Sequence, residues 1–302
     1  MLDGGLATEL EARGCDLNDE LWSAKVLLDQ PDLIRGVHRD YLIAGADCIA
    51  SATYQATIDG FERRGLSRGE AAGTIEFAVR LAVQARDEFW SHPPNRSERL
   101  KPLVAASVGP YGAYLADGSE YVGRYDIGRD ALASFHRERW RILVESGADL
   151  LACETIPSHV EALALLDLLG ETPRACAWFT FSCRDGERLS DGSMLRDAIA
   201  PLAGVEQVLA VGVNCTAPRF VPSLIAQARS ATDKPLAVYP NSGEQYDAVR
   251  KRWIGLAEPV DFGEAAREWH RQGARLIGGC CRTGPAHVKA VREALRCMPR
   301  RE

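Results

Sequence analysis

Short runs of β-branched and apolar residues recur along the chain, each ending in small or polar residues. They are Asp47–Tyr54, Leu103–Pro110, Ala148–Pro157, Ala175–Cys183, Gln207–Cys215, Pro235–Ser242 and Ala274–Cys281. A stub at Leu2–Gly4 makes an eighth. Near-continuous apolar runs suit strands buried on both faces, as in parallel sheets. Stretches with helical spacing fill the gaps. Pro31–Ala44 carries apolar residues at Leu33, Ile34, Val37 and Tyr41, and Ser67–Trp90 is long and alanine-rich. Asp130–Glu145, Ser158–Leu169, Ser193–Leu202, Pro218–Arg229, Phe262–Gln272 and Pro285–Arg296 follow. Ser158 reads as an N-cap, Pro218 and Pro285 as first-turn prolines, and Gly147, Gly170 and Gly273 as C-caps.

Strand and helix patterns thus alternate eight times, with no linker or low-complexity segment between them. One domain over residues 1–302 is expected, an α/β protein of the (β/α)8 TIM-barrel class. A doubly wound open sheet is the competing arrangement. It predicts a glycine-rich phosphate loop after the first strand, and Asp3-Gly-Gly-Leu-Ala-Thr does not complete Gly-x-Gly-x-x-Gly. Only Met1-Leu2 precede Asp3, so the first strand is expected to be shortened at the N-terminus. Three longer loops, 9–30, 111–129 and 243–260, are expected over the catalytic end of the barrel. The Tyr111–Tyr125 stretch, with four tyrosines and three glycines, suits a lid or substrate wall.

The chain of 302 residues is 46% hydrophobic and 26% charged, enough to bury a sizeable core. The net charge of −6 argues against nucleic acid as the main partner. No run reaches the ~18 apolar residues needed to span a bilayer, and no signal peptide is evident. Nine cysteines in a chain of this size point to reduced thiols in the cytoplasm. Most should be small buried hydrophobes.

In a barrel, polar residues at the C-terminal ends of the strands share one mouth. Asp3, Thr53 to Gln55, Glu154, Thr155, Ser182, Cys183, Asn214, Cys215, Asn241, Cys280 and Cys281 meet that condition. Cys280 and Cys281 are adjacent, so on a regular strand they would face opposite ways. Gly278-Gly279 is expected to let the backbone turn and aim both sulfurs inward. With Cys215 they form a thiolate triad, which suits Zn2+ and leaves one coordination position open, as in catalytic zinc sites. A Cys-Cys pair alone also fits two packed thiols or a vicinal disulfide. Cys183 is the remaining sulfur at the rim. Cys48, Cys153 and Cys176 fall inside strands, and Cys297 follows the last helix. The six histidines form no His-Glu-x-x-His pair, which leaves a histidine zinc site unsupported.

The segments Asp3-Gly-Gly, Thr53-Tyr-Gln-Ala-Thr, Ser107-Val-Gly-Pro-Tyr-Gly, Glu154-Thr-Ile-Pro, Gly212-Val-Asn-Cys and Gly278-Gly-Cys-Cys occur in this order along nearly the whole chain. In them the chain resembles the homocysteine S-methyltransferases, and most closely the branch that uses S-methylmethionine or S-adenosylmethionine. The resemblance implies zinc bound by Cys215, Cys280 and Cys281. It implies that Asp3 and Glu154 receive the homocysteine ammonium, with Thr53 beside the substrate carboxylate. Asn214 and Asn241 match family asparagines and are expected to position the site. Gln55 stands where the betaine-dependent branch tends to have tyrosine. The chain also ends soon after the last helix, without that branch's C-terminal arm. A free-standing enzyme, acting as a monomer on homocysteine and a small sulfonium donor, is therefore expected. Other thiol or selenol acceptors, betaine as donor, a catalytically inactive zinc- or thiol-binding barrel, and a redox protein using Cys280–Cys281 are the alternatives.

Overall fold

The computed structural model describes residues 1–17, 23–247, 252–254 and 261–296. Seven strands form one curled parallel sheet: β1 (Cys48–Ala50), β2 (Leu103–Val108), β3 (Leu150–Ile156), β4 (Ala177–Phe181), β5 (Val208–Asn214), β6 (Leu236–Tyr239) and β9 (Ala274–Ile277). They lie side by side in chain order. A separate hairpin pairs β7 (Gln245–Asp247) with β8 (Arg252–Ile254) antiparallel. It falls within the long loop expected at 243–260, the rest of which lies largely outside the described residues.

Each expected helical stretch is a helix. They run Pro31–Ala44, Arg68–Ser91, Arg129–Glu145, His159–Gly170, Leu195–Ala203, Val221–Arg229, Phe262–Gln272 and Pro285–Arg296. Local chemistry sets their ends. Ser67 and Glu70 form a reciprocal capping box, and the Ser158 side chain accepts from the Glu161 amide. Gly45 and Gly273 terminate their helices in the left-handed region, where a Cβ would be strained. Gly170 is instead the last helical residue, with Glu171 as the cap. Pro218 opens a short 3-10 turn, and the α-helix begins at Val221.

Side chains alternate across each strand, and the alternation separates two cores. Outward residues such as Ile49, Val104, Phe179 and Val211 pack under the helices. Inward residues from the strands of the sheet meet in a second cluster that includes Cys48, Ala105, Ala152, Trp178, Ala210, Ala237 and Tyr239. Leu2 joins this inner cluster. Four of the inner positions, Ala105, Ala152, Ala210 and Ala237, are alanine, which the concave side of a tightly curled sheet accommodates.

The first residues make backbone bonds at both edges of the sheet. The Leu2 amide donates to Ile277 O at 2.9 Å, and the Cys48 amide donates to Met1 O at 3.0 Å. The Gly279 amide then donates to Asp3 O at 2.9 Å. Asp3 is thereby fixed beside the ends of β1 and β9, even though only Leu2 has strand-like pairing here. No described helix is long and apolar enough to cross a membrane.

Candidate active site and metal centre

The three cysteines named from sequence converge. The sulfurs of Cys215, Cys280 and Cys281 all lie within 4.8 Å of one another, and Cys215 Sγ is 3.6 Å from Cys281 Sγ. Cys215 follows β5 with φ +45°, and Arg282 just after the pair has φ +64°. Both are non-glycine residues in the left-handed region, a conformation that costs on the order of 1 kcal/mol or more and concentrates at functional sites. The backbone of Cys280 is pinned by its amide to Pro240 O at 2.8 Å, and its carbonyl accepts from the Thr283 hydroxyl at 2.7 Å.

Gly278-Gly279 serves this turn differently from the expectation. Neither glycine has a positive φ. A Cβ on Gly278 would come within 2.6 Å of Asp3 O, and one on Gly279 within 2.1 Å of Thr283 Oγ1. They are small because the Asp3 segment and the Cys280–Thr283 turn press against them.

The cysteines line a cavity of about 340 Å³. Asp3, Tyr54, Gln55, Ser107, Glu120, Tyr121, Glu154 and Tyr239 line it too. Its size is at the lower end of the ~300–1,000 Å³ usual for small-molecule sites. Asp3 Oδ2 accepts from the Ala50 amide at 2.8 Å, which orients the carboxylate. Glu154 accepts hydrogen bonds from the Ser107 hydroxyl and, at 3.2 Å, from the Tyr239 hydroxyl. Tyr239 is held in turn by Trp178 Nε1 at 3.0 Å.

Burial dominates the electrostatics. It raises Asp3 well above the usual carboxylate range, against the pull of the Ala50 amide, and nearby Glu154 raises it further. Burial lifts Glu154 to about 7, while its hydroxyl partners pull the other way. Burial likewise lifts Glu120 to about 7. Among the described residues no Lys or Arg lines this cavity. Cys215 is held well below the usual thiol range by hydrogen bonds from Cys280 and Cys281, whose own thiols are pushed up by the same contacts. A site with this charge balance favours cations.

The remaining expected residues divide. Asn214 is buried behind the cysteines: its Oδ1 accepts from the Thr155 amide and its Nδ2 donates to Thr155 Oγ1, both at 2.7 Å. The same Nδ2 lies 3.8 Å from Cys280 Sγ, so Asn214 ties β3 to the metal candidate. Thr53 is not brought to the cavity. It is fully buried, with its hydroxyl donating to Ser107 O and paired with Ser51 Oγ, both at 2.7 Å. Asn241 is not brought there either, and its Oδ1 accepts from the Gly243 amide at 2.9 Å, capping a turn. Cys183 is buried apart from the sulfur cluster, with Sγ beside Phe181 O.

Comparison with known proteins gives the chemistry a frame. The homocysteine S-methyltransferase family model matches residues 1–295. The chain belongs to the homocysteine S-methyltransferase family. It is 54% identical over 291 residues to homocysteine S-methyltransferase YbgG of Bacillus subtilis, covering 96% of this chain and 92% of that one. It is 47% identical over 306 residues to a selenocysteine Se-methyltransferase of Brassica oleracea, covering 98% and 88%. Among solved structures it is similar to the homocysteine methyltransferase MmuM of Escherichia coli in its metallated form. That match has a TM-score of 0.86 and 49% identity, covering 97% of this chain and 94% of that one.

As a homocysteine S-methyltransferase, the chain is an enzyme that acts on small molecules, and its cysteine cluster has the donor set to hold a metal ion. Glu120, Tyr121, Ser107 and Tyr239 are among the parts of the homocysteine S-methyltransferase cavity that sequence reading did not single out. The tyrosine-rich loop at 111–129 was legible as a wall, but its single buried acid was masked by the aromatic residues around it. Of those aromatics, Tyr111 and Tyr114 pack on Phe135 rather than line the cavity.

Proposed function

We propose that this chain transfers a methyl group from a sulfonium donor, S-methylmethionine or S-adenosylmethionine, to the thiol of L-homocysteine, with zinc held by Cys215, Cys280 and Cys281. The observation that carries the reading is one cavity lined by three clustered sulfurs and by two buried carboxylates, Asp3 and Glu154. The curled sheet is read with it as a (β/α)8 TIM barrel spanning 1–302. The Met1–Asp3 backbone bonds to β1 and β9 support Leu2 as its reduced first strand. All eight described cysteines are free, in keeping with a cytoplasmic setting.

The donor set fits zinc. A tetrahedral Zn–S site with ~2.3 Å bonds has S···S edges near ~3.8 Å, and the Cys215–Cys281 pair already stands at 3.6 Å. Three protein sulfurs leave one position for a substrate. Bound there, zinc supplies the Lewis acidity that keeps a thiol with a pKa of ~8.5 deprotonated at neutral pH.

The chain's own residues handle the rest. Asp3 and Glu154 take the α-ammonium of homocysteine, a cation that offsets the mutual repulsion of two buried carboxylates. Ser107 and Tyr239 orient Glu154, and the Ala50 amide orients Asp3. Asn214 holds the Cys280 side of the cluster. The homocysteine sulfur, its proton lost to solvent, attacks the methyl carbon of the donor. A new S–CH3 bond forms as the donor C–S bond breaks, and the bonding pair stays on the donor sulfur. Both products are neutral thioethers. A sulfonium leaving group needs no general acid, so no acid–base pair is required beyond the carboxylates that bind substrate.

Metal-analysed protein assayed with homocysteine and S-methylmethionine, S-adenosylmethionine or betaine tests the reading. Turnover with a sulfonium donor is expected, and preference for betaine would overturn it. The likeness to a selenocysteine Se-methyltransferase favours a second reading, a selenol as acceptor, because the same site would activate it. An acceptor panel separates the two.

A further inference from the structure

Three buried carboxylates line the cavity, Asp3, Glu154 and Glu120, and the proposed acceptor brings one ammonium. Asp3 and Glu154 share the end of the sheet next to Cys280, and each has hydrogen-bond partners that aim it. Glu120 comes from a different wall. Its Oε2 is shut off from solvent and has no hydrogen-bond partner among the described residues.

The segment that carries Glu120 is wedged in place. A Cβ on Gly112 would lie 2.4 Å from the Glu120 amide nitrogen, so the helical turn Tyr111–Leu115 sits directly on it. Gly123, at φ +68°, is pressed against Pro157 O, where a Cβ would come within 2.6 Å. Ala116 and Gly118 take left-handed conformations on the way. The next residue, Tyr121, hydrogen-bonds Cys215, and Glu120 and Tyr121 line one cavity with the three sulfurs. Glu120 is thus held beside the sulfur cluster, where the methyl transfer would take place.

Resting on the methyl transfer proposed above, we infer that Glu120 supplies the counter-charge for the donor's sulfonium, which makes it a donor-selecting residue of this enzyme. The donor methyl must face the acceptor sulfur in line, so the sulfonium sits next to the cluster rather than at the mouth. Tyr54 and Tyr121 line the same space and present aromatic surface of the kind that receives onium ions. Betaine carries its carboxylate a single methylene from the onium nitrogen, where Glu120 repels it, whereas the carboxylate of the sulfonium donors lies at the far end of the side chain from the sulfur. The charge on the donor sulfur falls as the methyl leaves, so Glu120 stabilises the bound donor more than the transition state. Its loss should therefore raise the donor KM without lowering kcat.

Steady-state kinetics of the full chain, wild type against Glu120→Gln, with homocysteine and S-methylmethionine, test this. The donor KM is expected to rise about 10- to 100-fold, the lower range for losing one partner of a desolvated charge pair. The homocysteine KM should stay within about twofold and the metal content should not change. Glu120→Asp keeps the charge and should give a smaller rise, and it carries the test if the Gln variant does not fold. An unchanged donor KM in an otherwise active variant would overturn the role of Glu120 alone. An equal rise in the homocysteine KM would do the same, moving Glu120 to the acceptor. A wild-type enzyme inactive with both sulfonium donors would remove the methyl-transfer reading itself, and this role with it.

Discussion

Two buried polar clusters in this protein are balanced in opposite ways. In the first, the carboxylates of Asp3, Glu154 and Glu120 and the three clustered sulfurs face a cavity with no Lys or Arg among its described lining. The second, His136, Arg139 and Glu161, is fully buried and internally paired. Glu161 Oε1 meets His136 Nε2 at 2.8 Å and accepts from the Tyr111 amide at 2.5 Å. Arg139 Nη2 donates to Gly109 O and meets His136 Nδ1, both at 2.7 Å. Burial lowers Arg139 to about 10, within the range where it keeps its charge at neutral pH. The second cluster pairs its acid with its base internally and anchors the loop that begins at Gly109. The first is left for ligands to complete. Uncompensated charge, more than burial itself, separates a binding site from a structural network.

The largest effect should follow Cys281→Ser, which removes one of the three sulfurs. Metal content should fall to background and turnover by at least about 1,000-fold, since the remaining two thiols do not make a three-ligand site. A metal-free variant with full activity would break the comparison at its centre.

Glu154→Gln should lower kcat/KM for homocysteine by about 100-fold, in keeping with a loss of ~2–5 kcal/mol for a desolvated charge pair. Metal-free protein carrying this substitution should melt no lower than wild type, because a strained buried charge has been removed. Glu161→Gln should behave in the reverse way. It leaves Arg139 buried without its carboxylate and should cost about 3–5 kcal/mol of stability, read from denaturant unfolding. If the two variants showed the same stability, the contrast drawn between the clusters would be lost.

The smallest effect concerns pH. His38 is fully buried, neither ring nitrogen has a hydrogen-bond partner among the described residues, and burial lowers it from 6.5 to about 4. The folded state therefore binds this proton later than the unfolded state does. Its stability is complete above about pH 6.5 and is lost as pH falls toward 4, by about 2 kcal/mol at pH 5. His38→Leu should flatten the stability profile between pH 7 and 5 relative to wild type, and parallel profiles would contradict the assignment.

Much of this was legible in the chain. The eight helices lie within a few residues of their apolar periodicity, because local spacing and caps such as Ser158 and Gly273 are short-range signals. Cys215, Cys280 and Cys281 were found as strand-end residues, and a parallel sheet in chain order brings such ends together. Side-chain direction was not legible. Thr53 and Asn241 occupy the expected rim, yet each spends its polar atoms on neighbouring backbone or side-chain groups. Their orientation follows from the turns they cap, which no periodicity encodes. The glycines before the cysteine pair were placed correctly but for another reason, a close approach of Gly279 to Thr283 and of Gly278 to Asp3 O, the latter a contact between opposite ends of the chain. Glu120 was hidden because its position is set by the packing of its segment against Gly112 and by that of Gly123 against Pro157, contacts that no periodicity encodes.

The central claim is that three protein sulfurs hold zinc with a fourth position open to the acceptor thiol. Zinc-edge X-ray absorption of the purified enzyme, with and without homocysteine, tests it most directly. Three sulfur neighbours at ~2.3 Å are expected without homocysteine and four with it. A sulfur count that stays at three when homocysteine is saturating, or protein that carries no zinc while turning over, would contradict it.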